Sequence, residues 1–131
     1  MYTILVADDD EDLFEALNFT LSQSNYRIIQ AKDGAEAVDK ALKLHPDLIL
    51  LDIMMPNVDG LTACQEIKST EETKDIPTIM LTAKDGWNDV AEAFKAGAND
   101  YITKPFILGQ VVGKINEFLR TGEGEKKEWN S

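Results

Sequence analysis

Cysteine is nearly absent: Cys64 stands alone among 131 residues and cannot pair within the chain, so stability has to come from packing rather than disulfides. Long apolar runs are missing too. Nothing approaches the ~18 consecutive apolar residues of a membrane span, and no N-terminal segment resembles a signal peptide. The expectation is a soluble, cytoplasmic protein without a membrane partner. Basic residues are scarce. Thirteen lysines and arginines against twenty-four acids leave a formal net charge of -11. That balance works against the phosphate-neutralising contacts of nucleic-acid recognition and excludes direct DNA or RNA binding by this domain. Apolar side chains are plentiful: 44% of the residues are hydrophobic, enough for the core of one ordinary domain.

Apolar runs of strand character recur at residues 3–7, 26–31, 47–51, 77–82 and 99–103, and each is followed by a segment of helical spacing. The helical stripes are Leu13, Phe14, Leu17 and Leu21; Ala37, Val38, Ala41 and Leu42; Leu61, Cys64 and Ile67; Val90, Ala91 and Phe94; and Leu108, Val111, Val112, Ile115, Phe118 and Leu119. Cys64 reads as a small core residue. Asp33-Gly34, Asp59-Gly60 and Asp85-Gly86 would ordinarily announce hairpins, but helical periodicity follows each pair, so they read as turns entering helices. Asp33 and Glu36 have the spacing of an acidic capping box, and Gly97 stands where a helix commonly ends. Five β-α repeats predict an α/β three-layer sandwich around a five-stranded parallel sheet of order 2-1-3-4-5, the flavodoxin-like arrangement. Residues 122–131 lack apolar periodicity and are expected to form a charged, loose tail or linker, leaving 1–121 as the folded domain.

In a parallel sheet the carboxyl ends of adjacent strands open into one crevice. Asp8 and Asp9 end the run Ile4-Leu5-Val6-Ala7, Asp52 ends Asp47-Leu48-Ile49-Leu50-Leu51, and Lys104 follows the last strand signal. Singly, a strand-end aspartate is as readily a helix cap and a lysine a solvated surface group. Together the three acids carry a charge of -3, and like charges ~4 Å apart repel by about 4 kcal/mol at an effective dielectric near 20. Counter-charge is required. Lys104 supplies one unit and a hard divalent cation two. Mg²⁺ suits the site because it accepts a few carboxylates, keeps waters and bridges to phosphate oxygens. Softer metals are disfavoured because no Cys or His accompanies the acids; His45, beside Pro46 at a helix end, reads as a solvated residue or a C-terminal cation. With charge balanced, one carboxylate can attack phosphorus, and Asp52 is the candidate. The transition state spreads charge over equatorial oxygens, so a lysine and a hydroxyl donor are the useful additional parts. Thr82, closing Thr78-Ile79-Met80-Leu81, is placed to be that hydroxyl.

In this order the residues resemble a response regulator receiver domain of two-component signalling, over roughly residues 2–120. Ile4-Leu5-Val6-Ala7-Asp8-Asp9 resembles the first-strand acid pair, and Leu51-Asp52-Ile53-Met54-Met55-Pro56 with Asp59-Gly60 the phosphoacceptor strand and its loop. Thr82-Ala83 resembles the switch hydroxyl and its small neighbour, Tyr101 the switch aromatic, and Lys104-Pro105-Phe106 the lysine with its following proline. The resemblance implies that Asp52 receives a phosphoryl group from a sensor histidine kinase. Mg²⁺ would be held by Asp9, Asp52 and the Met54 carbonyl, and by Asp8 through water. Thr82 and Tyr101 would then move and remodel the surface of the fourth helix, fifth strand and fifth helix for a partner or output domain. It also implies a cis bond before Pro105, a possible onward relay to a histidine phosphotransfer protein, and a phosphoacceptor that assists its own labelling and hydrolysis rather than a turnover enzyme.

Several positions depart from the simplest form of that pattern. Asp10 makes a run of three acids, so the pair facing the metal is either Asp8 and Asp9, which alignment to the family favours, or Asp9 and Asp10. Trp87, Asp89, Ile107, Leu108, Gly109 and Gln110 stand where regulators that dimerise through a charged face carry arginine and glutamate, which argues against that dimer. Trp87 is a candidate for a partner surface, and Trp129 falls in the tail. Met54 and Lys84 flank the site at positions that tune water attack, and bulky Met54 is expected to shield the phosphoryl group. The competing reading is a haloacid dehalogenase-type Mg-dependent phosphohydrolase with Asp8 and Asp10 as nucleophile and acid. Thr82 and Lys104 would fit its next motifs, but its acidic pair after the lysine is missing.

Overall fold

Each of the five runs is a strand: β1 (Tyr2–Ala7), β2 (Tyr26–Ala31), β3 (Leu48–Asp52), β4 (Thr78–Thr82) and β5 (Asp100–Thr103). All pair in parallel, in the order β2-β1-β3-β4-β5. The crossovers are α1 (Glu11–Ser22), α2 (Gly34–Leu44), α3 (Gly60–Ser69) and α4 (Trp87–Lys95), and α5 (Leu108–Asn116) follows β5, ending in a π-helical turn over Glu117–Thr121. These elements come from a computed structural model that describes residues 1–55, 58–82 and 87–121. Pro56, Ala83, Lys84, the Asp85-Gly86 turn, the side chains of Trp87 and Asp89, and the tail with Trp129 lie outside the described residues.

Alternation along the strands divides the core in two, because successive side chains point to opposite sheet faces. Ile4, Val6, Leu48, Leu50, Ile79 and Leu81 pack with Leu17 and Leu21 of α1 and Val111 and Ile115 of α5. Leu5, Ala7, Ile49, Leu51 and Met80 pack with Ala37 and Ala41 of α2, Ala63, Cys64 and Ile67 of α3, and Ala93 of α4. Both faces are covered, which is why β1 and β3 read as continuous apolar runs rather than alternating ones. At the end of α5, the Tyr26 hydroxyl donates to Asn116 Oδ1 at 2.5 Å and the Tyr2 hydroxyl to the Leu119 carbonyl at 3.2 Å, pinning that helix to the starts of β2 and β1.

Three local expectations need correction. Leu42 is exposed rather than packed, since Ala37 and Ala41 already bring α2 onto the sheet. Among the described side chains of α4, Ala93 and not Ala91 reaches the core, and Phe94 is largely outside it. Asp33 does cap α2 by accepting the Glu36 N–H at 2.8 Å, but Glu36 reaches back to the Lys32 N–H at 3.1 Å, one residue before the cap. His45 is exposed and closes α2 in the left-handed region at φ 46. Gly97, at φ 97, lets the Ala98 N–H return to the Ala93 carbonyl at 3.0 Å and ends α4 as expected.

Cys64 is fully buried, and burial pushes its thiol up to about 11, with the Lys68 charge opposing only in part. The thiolate is the reactive form. Iodoacetamide at mildly alkaline pH should therefore leave Cys64 unmodified in the folded chain and alkylate it once guanidinium unfolds the protein; rapid labelling of the native protein would contradict this packing.

Candidate functional site

The register Ala7↔Leu51 aligns the ends of β1 and β3, so Asp8 and Asp52 emerge side by side. Beyond the strands the ladder continues: the Asp8 N–H donates to the Ala31 carbonyl at 3.1 Å, and the Ile53 N–H to Leu81 at 3.1 Å. Lys104 leaves β5 the same way, its N–H donating to the Thr82 carbonyl at 2.7 Å. Asp8, Asp52 and Lys104 share the parity of Val6, Leu50 and Ile102, all of the α1/α5 face, and this brings them together. Lys104 Nζ lies 3.1 Å from Asp8 Oδ2 and 3.2 Å from Asp52 Oδ2. The remaining oxygens are held by backbone: Asp8 Oδ1 accepts the Asp10 N–H at 2.9 Å and Asp52 Oδ1 the Met54 N–H at 3.1 Å. The bond between Lys104 and Pro105 is cis.

Asp8 and Asp52 are buried while Asp9 is exposed, and one carboxylate oxygen from each of the three lies within 4.8 Å of the others. An all-oxygen, acidic donor set fits a hard divalent cation and offers nothing to a soft one. Burial, reinforced by the Asp8 charge, holds the Asp52 carboxyl above its ordinary value despite the opposing pull of Lys104 and the Met54 N–H. For Lys104, burial alone would lower its pKa, but the charge of Asp52, with Asp8, outweighs it and holds the ammonium above the usual lysine value. The site is a pair of buried carboxylates clamped by a cation, with a third carboxylate at its mouth.

Asp10 is not in this cluster. It is the N-cap of α1, its Oδ1 accepting the N–H groups of Asp12 at 3.0 Å and Leu13 at 3.2 Å. That role accounts for the third acid in the run and removes the acid partner that the hydrolase reading required. Asp10→Ala should lower stability by about 1 kcal/mol through the lost cap while leaving Mg²⁺ affinity unchanged; a weakened metal titration would restore Asp10 as a ligand.

Thr82 is 1% exposed, and its Oγ1 has no hydrogen-bond partner among the described residues. Such a group is held at a cost until something accepts or donates to it. Tyr101 does not join the acids: by the pairing Met80↔Tyr101 it lies one step down β5, half-buried. Met54 touches Asp52 through its backbone N–H, and the residue is 72% exposed. Gly60 reads in the sequence as a helix-entering turn, without the close contact it makes. A Cβ there would stand 2.1 Å from the Asp52 carbonyl oxygen, so this glycine lets α3 start against the back of the Asp52 turn. The signal was the Asp-Gly repeat, which reports a helix entry but not how closely it packs.

The model of the response regulator receiver domain family matches residues 4–116, and the chain belongs to that family. It is a domain of phosphorylation-dependent two-component signalling. Among similar curated proteins is the DNA-binding dual master transcriptional regulator RpaA of Synechocystis, 41% identical over 120 residues that cover 92% of this chain and 50% of the relative. The chain thus spans about half the length of the curated relatives it matches. A crystal structure described as a response regulator of Chloroflexus aurantiacus superimposes with a TM-score of 0.85 at 35% identity, over 90% of this chain and 97% of that one. The receiver domain of the sensor histidine kinase PA1611 of Pseudomonas aeruginosa, with a magnesium ion in its active site cleft, gives 0.79 at 32% identity, over 89% and 96%. Nothing in these comparisons supports the hydrolase alternative. Among the described residues no helix is long and apolar enough to cross a membrane.

Proposed function

We propose that Asp52 is the phosphoacceptor and that it takes the phosphoryl group from a phosphohistidine of a sensor kinase or histidine phosphotransfer protein in the cytoplasm. The observation that carries this reading is the Lys104 ammonium lying within 3.2 Å of both Asp8 and Asp52, with Asp9 completing a three-oxygen cluster. Asp8, Asp9 and Asp52 would hold Mg²⁺, with the Met54 carbonyl as the family resemblance implies. Bound there, the ion supplies the positive charge that lets a phosphoryl dianion approach carboxylates. The chain's own residues do the rest. An Asp52 carboxylate oxygen forms the new O–P bond as the donor's P–N bond breaks and its imidazole leaves. Lys104 exchanges its contact with Asp52 for one with a phosphoryl oxygen, and the unpartnered Thr82 hydroxyl donates to another. Tyr101 follows Thr82, and the face of α4, β5 and α5 changes for a partner or output domain.

In this reading the chain is a signalling switch that assists its own labelling and hydrolysis, residues 1–121 are its receiver domain, and 122–131 are a tail or linker. An output such as the DNA binding named for RpaA would belong to another part of a longer regulator. Mg²⁺ titration followed by amide NMR shifts tests the metal assignment. Asp9→Asn should weaken binding by at least the ~10-fold that loss of even an outer-shell partner costs, and an unchanged titration would remove Asp9 from the site.

A further inference from the structure

Among its described side chains, α4 meets the core through small residues. The described side chains that join it to the core are Ala93 and, just past its last turn, Ala96, whereas Phe94 is 49% exposed. An aromatic contact made by α4 is directional: the Phe94 ring meets the Tyr101 ring at 88°, with centroids 5.9 Å apart. Edge-to-face pairs of this kind favour one mutual placement over others. Tyr101 also borders a groove of about 630 Å³ lined from α5 by Gly109, Gln110, Gly113 and Lys114. Among the described residues, Phe94 is the only aromatic partner of Tyr101.

Tyr101 and Thr82 also share a sheet face. The pairings Met80↔Tyr101 and Thr82↔Thr103 put all four side chains on the side that α4 covers, with Thr82 one same-face step further along the sheet than Tyr101. We propose that Phe94 is a positioning residue for the switch: its ring holds Tyr101 in the unphosphorylated placement, so this contact sets how readily phosphorylation at Asp52 moves the tyrosine. The inference rests on the receiver function above and adds the residue that fixes the balance between the two placements. The phosphoryl group biases a two-state equilibrium, and Phe94 weights one side of it.

The test uses the whole chain labelled with 3-fluorotyrosine. It has three tyrosines, Tyr2, Tyr26 and Tyr101, and Tyr101→Phe assigns the relevant fluorine signal. Beryllofluoride is titrated in excess Mg²⁺, and the midpoint of the Tyr101 signal is compared between wild type, Phe94→Ala and Phe94→Leu. Because Phe94 is half-exposed, both variants should fold, which circular dichroism checks. The expected result is a midpoint lower by roughly 2- to 10-fold for Phe94→Ala, the range given by an aromatic pair that biases a two-state equilibrium, with Phe94→Leu between. A wild-type response with an unshifted or higher Phe94→Ala midpoint would overturn the positioning role and leave Phe94 a surface residue. A wild type that does not respond at all would overturn the receiver reading itself, and the proposal with it.

Discussion

Asp52→Asn should leave the protein folded while its capacity to carry a stable phosphoryl label falls by about three orders of magnitude or more, as when a nucleophile is removed from a unit that acts together. No neighbour can take over. Asp8 is fully buried where Asp52 is still reached by solvent, and Asp9 is exposed, outside the Lys104 contacts. The same substitution should stabilise the metal-free fold. Burial and the Asp8 charge raise the Asp52 carboxyl above its ordinary 3.8. A carboxyl raised by folding contributes stability only where it is protonated, and that contribution is lost as pH rises through the folded-state value. Ionised Asp52 is therefore a net cost at neutral pH. Thermal unfolding in EDTA should show Asp52→Asn melting above wild type at neutral pH, with the gap closing as pH falls toward 3.8. A variant that melts below wild type at neutral pH would mean that the Lys104 contacts outweigh burial and repulsion.

Gly60→Ala should damage both fold and chemistry without touching a reacting atom. The added Cβ would sit 2.1 Å from the Asp52 carbonyl oxygen and 2.8 Å from Ile53 Cα, backbone that cannot move aside as a side-chain tip could. The Gly60 N–H, 3.0 Å from the Ile53 carbonyl, ties the helix start to the same turn. Relief requires α3 or the Asp52 turn to shift, so a loss of about 3 kcal/mol is expected in urea unfolding. Phosphorylation by acetyl phosphate should slow by roughly 100-fold, the cost of misplacing a catalytic group by about 1 Å. Gly109→Ala is the control. It has nothing within 4 Å of its added Cβ and lies in a helix, so it should gain about 0.5–1 kcal/mol. If the two glycines behaved alike, the close approach of α3 to Asp52 would be wrong.

Much of this was legible because the sheet imposes a period of two. The continuous apolar runs of β1 and β3 announce strands buried on both faces, and one residue past each run the parity that points Val6 and Leu50 toward α1 and α5 carries Asp8 and Asp52 to the same side. Lys104 follows Ile102 by the same rule. The sheet order required the β-α alternation and a choice between two common doubly wound patterns. What could not be read is contact across elements. Asp10 reads as a third site acid, and only the direction of α1 makes it a cap. Asp59-Gly60 reads as a turn, and the 2.1 Å approach behind it depends on where α3 lands. Phe94 falls on a plausible apolar stripe, yet the buried side of α4 belongs to Ala93, because small residues let the helix settle close while a phenylalanine would hold it away.

If the acid cluster works as proposed, Asp52 alone captures phosphorus, and only when Mg²⁺ is present. Intact-mass spectrometry of the chain incubated with acetyl phosphate, with Mg²⁺ or with EDTA, tests it most directly when the modified residue is then located by reductive trapping. One added phosphoryl group is expected, only with Mg²⁺ and only on Asp52. No added mass in excess Mg²⁺, equal labelling in EDTA, or a label on any other residue would contradict it.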